Sequence, residues 1–532
     1  MQDDERLTIR TGWLLTSLVA ALGGCGDDTT REPMEPEPPL PRGAGSLCPT
    51  TEAPVDAYPA PGDWEPNLGP GAPQTSFSAG ELMTSCAFLD GGDGDTSDHH
   101  NLLSMYEGYL LMPWAPEWAG GGITLWDVGE ACSPQVIGTG FSEEMRETHA
   151  IGYSSLNGRW AAVNYLRAID VGGVQFWDMS DVTAPEAVSG VDVEGFFYPD
   201  AYARVSLSVF WQVPYVFVTA ADNGIFVVDA TDPLDPFVVS HVPFDPVLRS
   251  GQVQAVGDLL IVSEAEGART VLLDISDPEN PQPIGGGDFR ITDGAGVTRE
   301  AYFSNVHAGH VIYARKDDGG GVIMYDITNP NAPAFVGDAT SDGNGGYVFV
   351  KDDVAYVGEG RFAATYDVAD PSNITQLTQD FALSGDLDTI TPISNFVVLS
   401  VDDEAEEDQG SAIVPHEMDP DTKGPDVTWV FPRDGAVDLT PTSRIGMTFS
   451  EMVDVKSAWE GSVRLYDTEL GPDAGRVVGV ISAQENIVNF VPRCPLEPGR
   501  SYTLEVPAGG VADFSGNPTE QAFVATFTVA GG

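Results

Sequence analysis

One pattern of apolar and polar positions returns along most of the chain. Residues 320–333 read GGVIMYDITNPNAP: an apolar run closes on an Asp and gives way to polar residues that end in Pro. Its relatives are GGITLWDVGEACSP ending at Pro134, GGVQFWDMSDVTAP at Pro185, NGIFVVDATDPLDP at Pro236, ARTVLLDISDPENP at Pro281 and RFAATYDVADPSNI at Ile374. The apolar run, rich in β-branched and aromatic residues, predicts a short strand. The Asp that closes it (Asp127, Asp178, Asp229, Asp274, Asp326, Asp367) is a structural repeat position. Three residues on stands a second Asp or Asn (Asp181, Asp232, Asp277, Asn329, Asp370). Its side chain can hydrogen-bond the backbone two residues further, and the Pro that usually follows presets φ for a turn. A second Pro seven after the anchor then launches the next strand, where a missing N–H costs little. These carboxylates therefore read as turn-makers rather than catalytic groups.

Between anchors runs a second, more uniformly apolar strand: LLSMYEGYLLMPW from Leu102, WAAVNYL from Trp160, YVFVTAAD from Tyr215, LLIVSEAE from Leu259, VIYARKDD from Val311, VAYVGEG from Val354 and FVVLSVDDE from Phe396. The anchors lie 51, 51, 45, 52 and 41 residues apart. Several strands per unit at about 40 to 50 residues mark the blade of a β-propeller, and seven units predict seven blades. GSAIVPH, Gly410 to His416, stands where the seventh anchor strand is due. TSFSAGELMTSCAFLD from Thr75 reads as strand material without an anchor. Pairing it with the last blade would remove two exposed edges, so it is expected to complete blade seven.

After the acidic loop DDEAEEDQG from Asp402 and the turn-rich HEMDPDTKGPD from His416, the repeat stops. About a hundred residues of alternating short strands and Pro/Gly/Asp turns predict a β-sandwich. The fold class is thus all-β, a seven-bladed β-propeller followed by an Ig-like β-sandwich. The expected organisation is a signal peptide at 1–24, a Pro-rich acidic tether at 25–74, the propeller at 75–420 and the sandwich at 424–530.

At the N-terminus an apolar run, Trp13 to Leu22, ends in Leu22-Gly23-Gly24-Cys25. At about ten residues it is too short to span a bilayer and suits a signal-peptide core. The tether has little to bury and stays extended. Four further cysteines, Cys48, Cys86, Cys132 and Cys494, allow two disulfides outside a reducing compartment. Cys86 with Cys132 is the favoured pair, since one precedes blade one and the other stands in that blade's hairpin; Cys48 with Cys494 would tie the tail to the tether.

Three resemblances follow from these residues. Leu22 to Cys25 resembles the bacterial lipoprotein signal, which implies lipidation of Cys25 and a membrane anchor. Gly26 after it implies, by the enterobacterial sorting rule, the outer membrane or cell surface; Asp3, Asp4 and Glu5 depart from the usual basic start. GGVQFWDMSDVTAP and its siblings resemble the LVIVD repeat of bacterial and archaeal surface propellers over roughly residues 75 to 420, a likeness that implies fold and brings no catalytic set. Pro432, Asp434 and Gly435, then Phe449, Ser450 and Glu451, and Ala512 to Pro518 resemble the bacterial Ig-like domain of the SbsA type, which implies a spacer or adhesive module.

Charge narrows the partners. The 532 residues hold 24 Lys and Arg against 81 Asp and Glu, a net charge of −57, which repels phosphate backbones and excludes nucleic-acid binding. The loop DGGDGDTSDHHN offers Asp90, Asp93, Asp95 and Asp98 as a calcium site, since oxygen ligands at alternate positions with glycines between can wrap that ion; it lacks the closing Glu of an EF-hand. His149, His307 and His310 fall near the starts of inner strands, where a ring can gather them at one mouth. No serine-hydrolase elbow, zinc-protease or phosphate-loop motif is present. The combined expectation is a monomeric, lipid-anchored surface module that binds an extracellular protein or glycan. A propeller enzyme acting on extracellular polymer and a calcium-stabilised adhesin are the alternatives.

Overall fold

The computed structural model describes residues 47–48, 76–91, 98–99, 102–117, 120–168, 171–193, 205–316, 319–402 and 404–531. The expected signal peptide, Cys25 and all of the tether but Leu47 and Cys48 lie outside them.

Each recurring unit lays down one four-stranded antiparallel sheet. In the second, the strands Gly152–Ser154, Trp160–Ala168, Val171–Asp178 and Glu186–Asp192 pair in chain order. The inner strands are buried, whereas the outermost alternates exposed and half-buried positions, as an edge facing water requires. Among the described residues seven sheets belong to this propeller and two to the C-terminal sandwich.

The turn chemistry is the same in the six units that carry an anchor Asp. Each anchor carboxylate accepts the backbone N–H two residues on: Asp127 from Gly129 and Asp178 from Ser180 at 2.8 Å, Asp229 from Thr231 at 2.9 Å, Asp274 from Ser276 and Asp326 from Thr328 at 2.8 Å, Asp367 from Ala369 at 3.0 Å. The second Asp or Asn repeats the arrangement, as with Thr183 N–H to Asp181 at 3.0 Å and Ser372 N–H to Asp370 at 3.1 Å. These turns also seat neighbouring blades. A Cβ on Gly337, in the outer strand of blade five, would lie 2.1 Å from the carbonyl oxygen of Pro371 in the turn of blade six; on Gly286, one blade earlier, it would lie 2.2 Å from that of Asn331. Only glycine admits that approach.

The ring closes on a strand from the N-terminal side. Ala87–Leu89 pairs antiparallel with Ser411–Pro415, Ala87 opposite Ile413, and becomes the outer strand of blade seven. A disulfide joins Cys86 to Cys132 in the turn of blade one, and a second joins Cys48 to Cys494 of the sandwich.

The sandwich has one sheet of Val427–Phe431, Ile445–Phe449, Ile487–Pro492 and Gly479–Gln484, and a second of Ala436–Leu439, Phe523–Val529, Ser501–Val506 and Arg464–Asp467. A helical turn, Gly471–Ala474, interrupts it. Propeller and sandwich belong to one unit, Pro41–Gly532, and the sandwich is seated on the propeller face formed by the turns after the innermost strands. The tip of its hairpin, Gln484 to Asn486, enters that mouth of the channel. Gln484 donates to Val209 O at 2.9 Å, Gln254 donates to Glu485 at 2.9 Å, and Asn486 donates to Val306 O at 2.8 Å. Asn489 behind the tip spans Ala255 O and the Gly257 N–H at 2.9 and 2.8 Å. Arg444, fully buried, donates to Ile275 O at 3.1 Å. A domain expected as a spacer is thus hydrogen-bonded into the ring.

Candidate functional site at the propeller mouth

At the mouth opposite the sandwich, loops that enter the innermost strands meet those that join the second and third. His99 comes from the loop before blade one, Arg146, Glu147 and His149 from the loop into blade two, and Asp402 from blade seven. The loops hold one another through backbone bonds: His99 N–H to Ala115 O at 2.9 Å, Glu147 N–H to Pro116 O at 3.0 Å and His149 N–H to Leu207 O at 3.1 Å. Glu147 is the centre. One carboxylate oxygen lies 2.5 Å from His149 Nε2 and 3.2 Å from His99 Nδ1, and the other 3.4 Å from Arg146. His99 Nδ1 also stands 2.9 Å from Asp402. Arg146 is itself fixed by Glu117 O at 2.8 Å and Ser206 O at 2.6 Å.

Electrostatics follow from this crowding. Burial resists charge on His99, but hydrogen bonding and attraction from Asp402 and Glu147 push its pKa up to about 11, so the ring is an imidazolium at neutral pH. Burial likewise opposes ionisation of Glu147; the neighbouring His149 and His99 overcome it and hold the carboxyl well below its usual range. Asp388, at the entrance to blade seven, goes the other way: burial, then the charges of Asp402 and Asp386, drive its carboxyl well above the ordinary value. Behind the cluster an aromatic layer fills the channel. His149 packs edge-on to Phe303 at 4.7 Å, and Phe303 stacks on Tyr347 at 4.1 Å.

Two groups among the described residues have metal-ligand geometry. His99, Glu147 and Asp402 bring one nitrogen and two oxygens within 4.8 Å of one another, and Asp352, Asp421 and Glu451 do so with three oxygens at the sandwich junction. One imidazole with two carboxylates suits a divalent transition ion once His99 gives up its proton.

The sequence-predicted residues part company. His149 reaches this mouth, whereas His307, 3.1 Å from Asp353, and His310, bonded to Ala308 O, lie at the sandwich end; the expectation of one shared mouth is corrected, because the two ends of a strand sit on opposite faces. Of the calcium candidates, Asp98 is buried and Asp90 half-buried, while Asp93 and Asp95 lie outside the described residues. Arg146, Glu147 and Asp388 were not singled out. The string Arg146-Glu147-Thr148-His149 carried a usable signal, an Arg between acids in a chain so poor in cations.

Residues 421–529 match the family model of the bacterial Ig-like domain. The C-terminal domain is a bacterial Ig-like domain. No curated protein sequence matches the chain. Among solved structures the periplasmic gluconolactonase of Pseudomonas aeruginosa is similar at 11% identity and a TM-score of 0.44, over 52% of this chain and 83% of that one. A hypothetical selenium-binding protein of Sulfolobus tokodaii is similar at 9% identity and 0.40, over 74% and 91%. The β-propeller domain of Cps50 from Myceliophteria thermophila is similar at 10% and 0.42, over 61% and 99%.

Proposed function

We propose that this chain is a lipid-anchored surface receptor in which the propeller mouth around Glu147 receives an extracellular glycan or protein and the Ig-like domain is its fixed base. The observation that carries this reading is the seating of the hairpin tip, Gln484 to Asn486, in one mouth, which supports the other as the face for recognition. The charge states agree with binding: His99 and Glu147 titrate far from neutrality on either side, so neither is poised to move a proton at working pH. Lipidation of Cys25, LVIVD-repeat membership and an outer-membrane address rest on the sequence resemblances. Labelled palmitate incorporated by the natural chain and not by Cys25→Ala supports the anchor; equal labelling removes it. A glycan array probed with the natural chain and with Asp402→Ala tests recognition, the substitution abolishing binding. Unchanged binding overturns the assignment of this mouth.

A second reading is favoured by one observation. Burial and the charges of Asp402 and Asp386 raise the Asp388 carboxyl, while His149 and His99 lower that of Glu147 at the same mouth, and carboxyls pushed apart in this way are the usual acid and base of hydrolases. Under that reading Asp388→Asn abolishes turnover of an acidic-polysaccharide or glycoside substrate while binding persists.

A further inference from the structure

The junction of propeller and Ig-like domain forms an open cleft of about 350 Å3, within the range of small-ligand sites, between the turns of blades one and two and the segments Lys456–Glu460, Gly479–Ile481 and Arg493. Its charge is anomalous. A chain with 24 Lys and Arg against 81 Asp and Glu turns Arg159, Lys456 and Arg493 onto this single space. The two carboxylates that share the lining are already paired: Glu107 with Arg159 at 3.0 Å and Glu460 with Arg476 at 2.7 Å. Among the described residues Lys456 and Arg493 have no carboxylate partner. Lys456 reaches only the hydroxyl of Ser155, at 3.2 Å, and the buried Nε of Arg493 has no hydrogen-bond partner. Burial pulls the Lys456 pKa down, so its charge is held at a cost that an anion would relieve. Trp459 adds an aromatic wall, and Glu107, Asn157 and Glu460 offer polar groups for hydroxyls.

We propose that this cavity binds an acidic saccharide, a sugar carrying a carboxylate or sulfate that pairs with Lys456 and Arg493 while its ring packs on Trp459. The shape of the cavity depends on both domains, so ligand would tighten their junction, independently of what the far mouth recognises. The test is titration of the full chain, followed by Trp fluorescence and calorimetry, with an oligogalacturonide, a sulfated disaccharide, a neutral oligosaccharide of equal length and sodium sulfate. One or both acidic saccharides bind and the neutral one does not. Lys456→Met and Arg493→Met each weaken binding about tenfold or more, the loss of one charge-assisted hydrogen bond, whereas Lys456→Arg retains it. Equal affinity for the neutral sugar, or for sulfate alone, overturns the assignment of an acidic sugar. So does undiminished binding by both methionine variants with an unchanged melting temperature.

Discussion

At the scale of single residues, Glu147 decides the state of its neighbours. Removing its charge while keeping its shape leaves His99 with Asp402 alone and Arg146 without a carboxylate. Glu147→Gln is expected to lower stability by about 3 kcal/mol, the cost of breaking a buried pair from one side, and to bring the His99 pKa down from about 11. Denaturant titration and the imidazole proton shifts measure the two effects. At the other mouth Glu485 is raised to about 7, burial outweighing its bonds from Gln254 and Asn305. A carboxyl raised on folding makes the native state bind more protons than the unfolded one between the ordinary value and about 7, so stability falls as pH rises through that window. The raised His99 acts in the same sense: its contribution is complete below its unfolded pKa and declines as pH climbs toward about 11. The melting temperature should therefore be higher at pH 6 than at pH 8. Glu485→Gln, which keeps an acceptor for Gln254 and Asn305, should flatten that slope; an undiminished slope in the variant would show that Glu485 is not its source.

At the scale of elements, the repeat is held by its turns as much as by its strands. The carboxylate of Asp326 takes both the Thr328 N–H and its hydroxyl, so Asp326→Ala should cost about 1 kcal/mol by urea unfolding, with the same loss for Asp274→Ala. Gly337→Val should cost more, because its side chain must displace the backbone at Pro371 rather than a mobile group. The hairpin from Gly479 to Pro492 is the element that changes the meaning of the Ig-like domain. Its side chains bond carbonyls, amides and side chains at the ends of three innermost strands, which fixes the angle between the domains instead of leaving a flexible joint.

At the scale of the whole molecule, ring closure rests on one strand pairing, three residue pairs long, and one covalent bond. The Cys86–Cys132 link closes a loop of 46 residues across the seam between blades seven and one. Its removal by paired Ser substitution should lower stability by about 4 kcal/mol, measured by urea unfolding of the oxidised and substituted chains. Repetition makes this architecture readable in advance: six of the seven units turn on the same Asp, so the number of blades and the borrowed strand at Ala87 are legible from spacing. The site was legible only in fragments. His149 is a candidate by residue type and His99 lies inside the Asp-rich loop DGGDGDTSDHHN, but these and Asp402 come from three loops up to three hundred residues apart, and periodicity carries no information on which loops share a mouth. His307 and His310 went to the wrong end for the same reason. What the sequence by itself determined is local and repeated: strand, turn, blade and domain, each set by neighbours within a few dozen residues. Only tertiary structure decided that the Ig-like domain caps one end of the channel, that Glu147 gathers two imidazoles and an arginine, and that unpaired Lys456 and Arg493 face one cavity. Those depend on where distant chain ends meet, and the free energy of such meetings is a sum over packing and charge that no local pattern encodes.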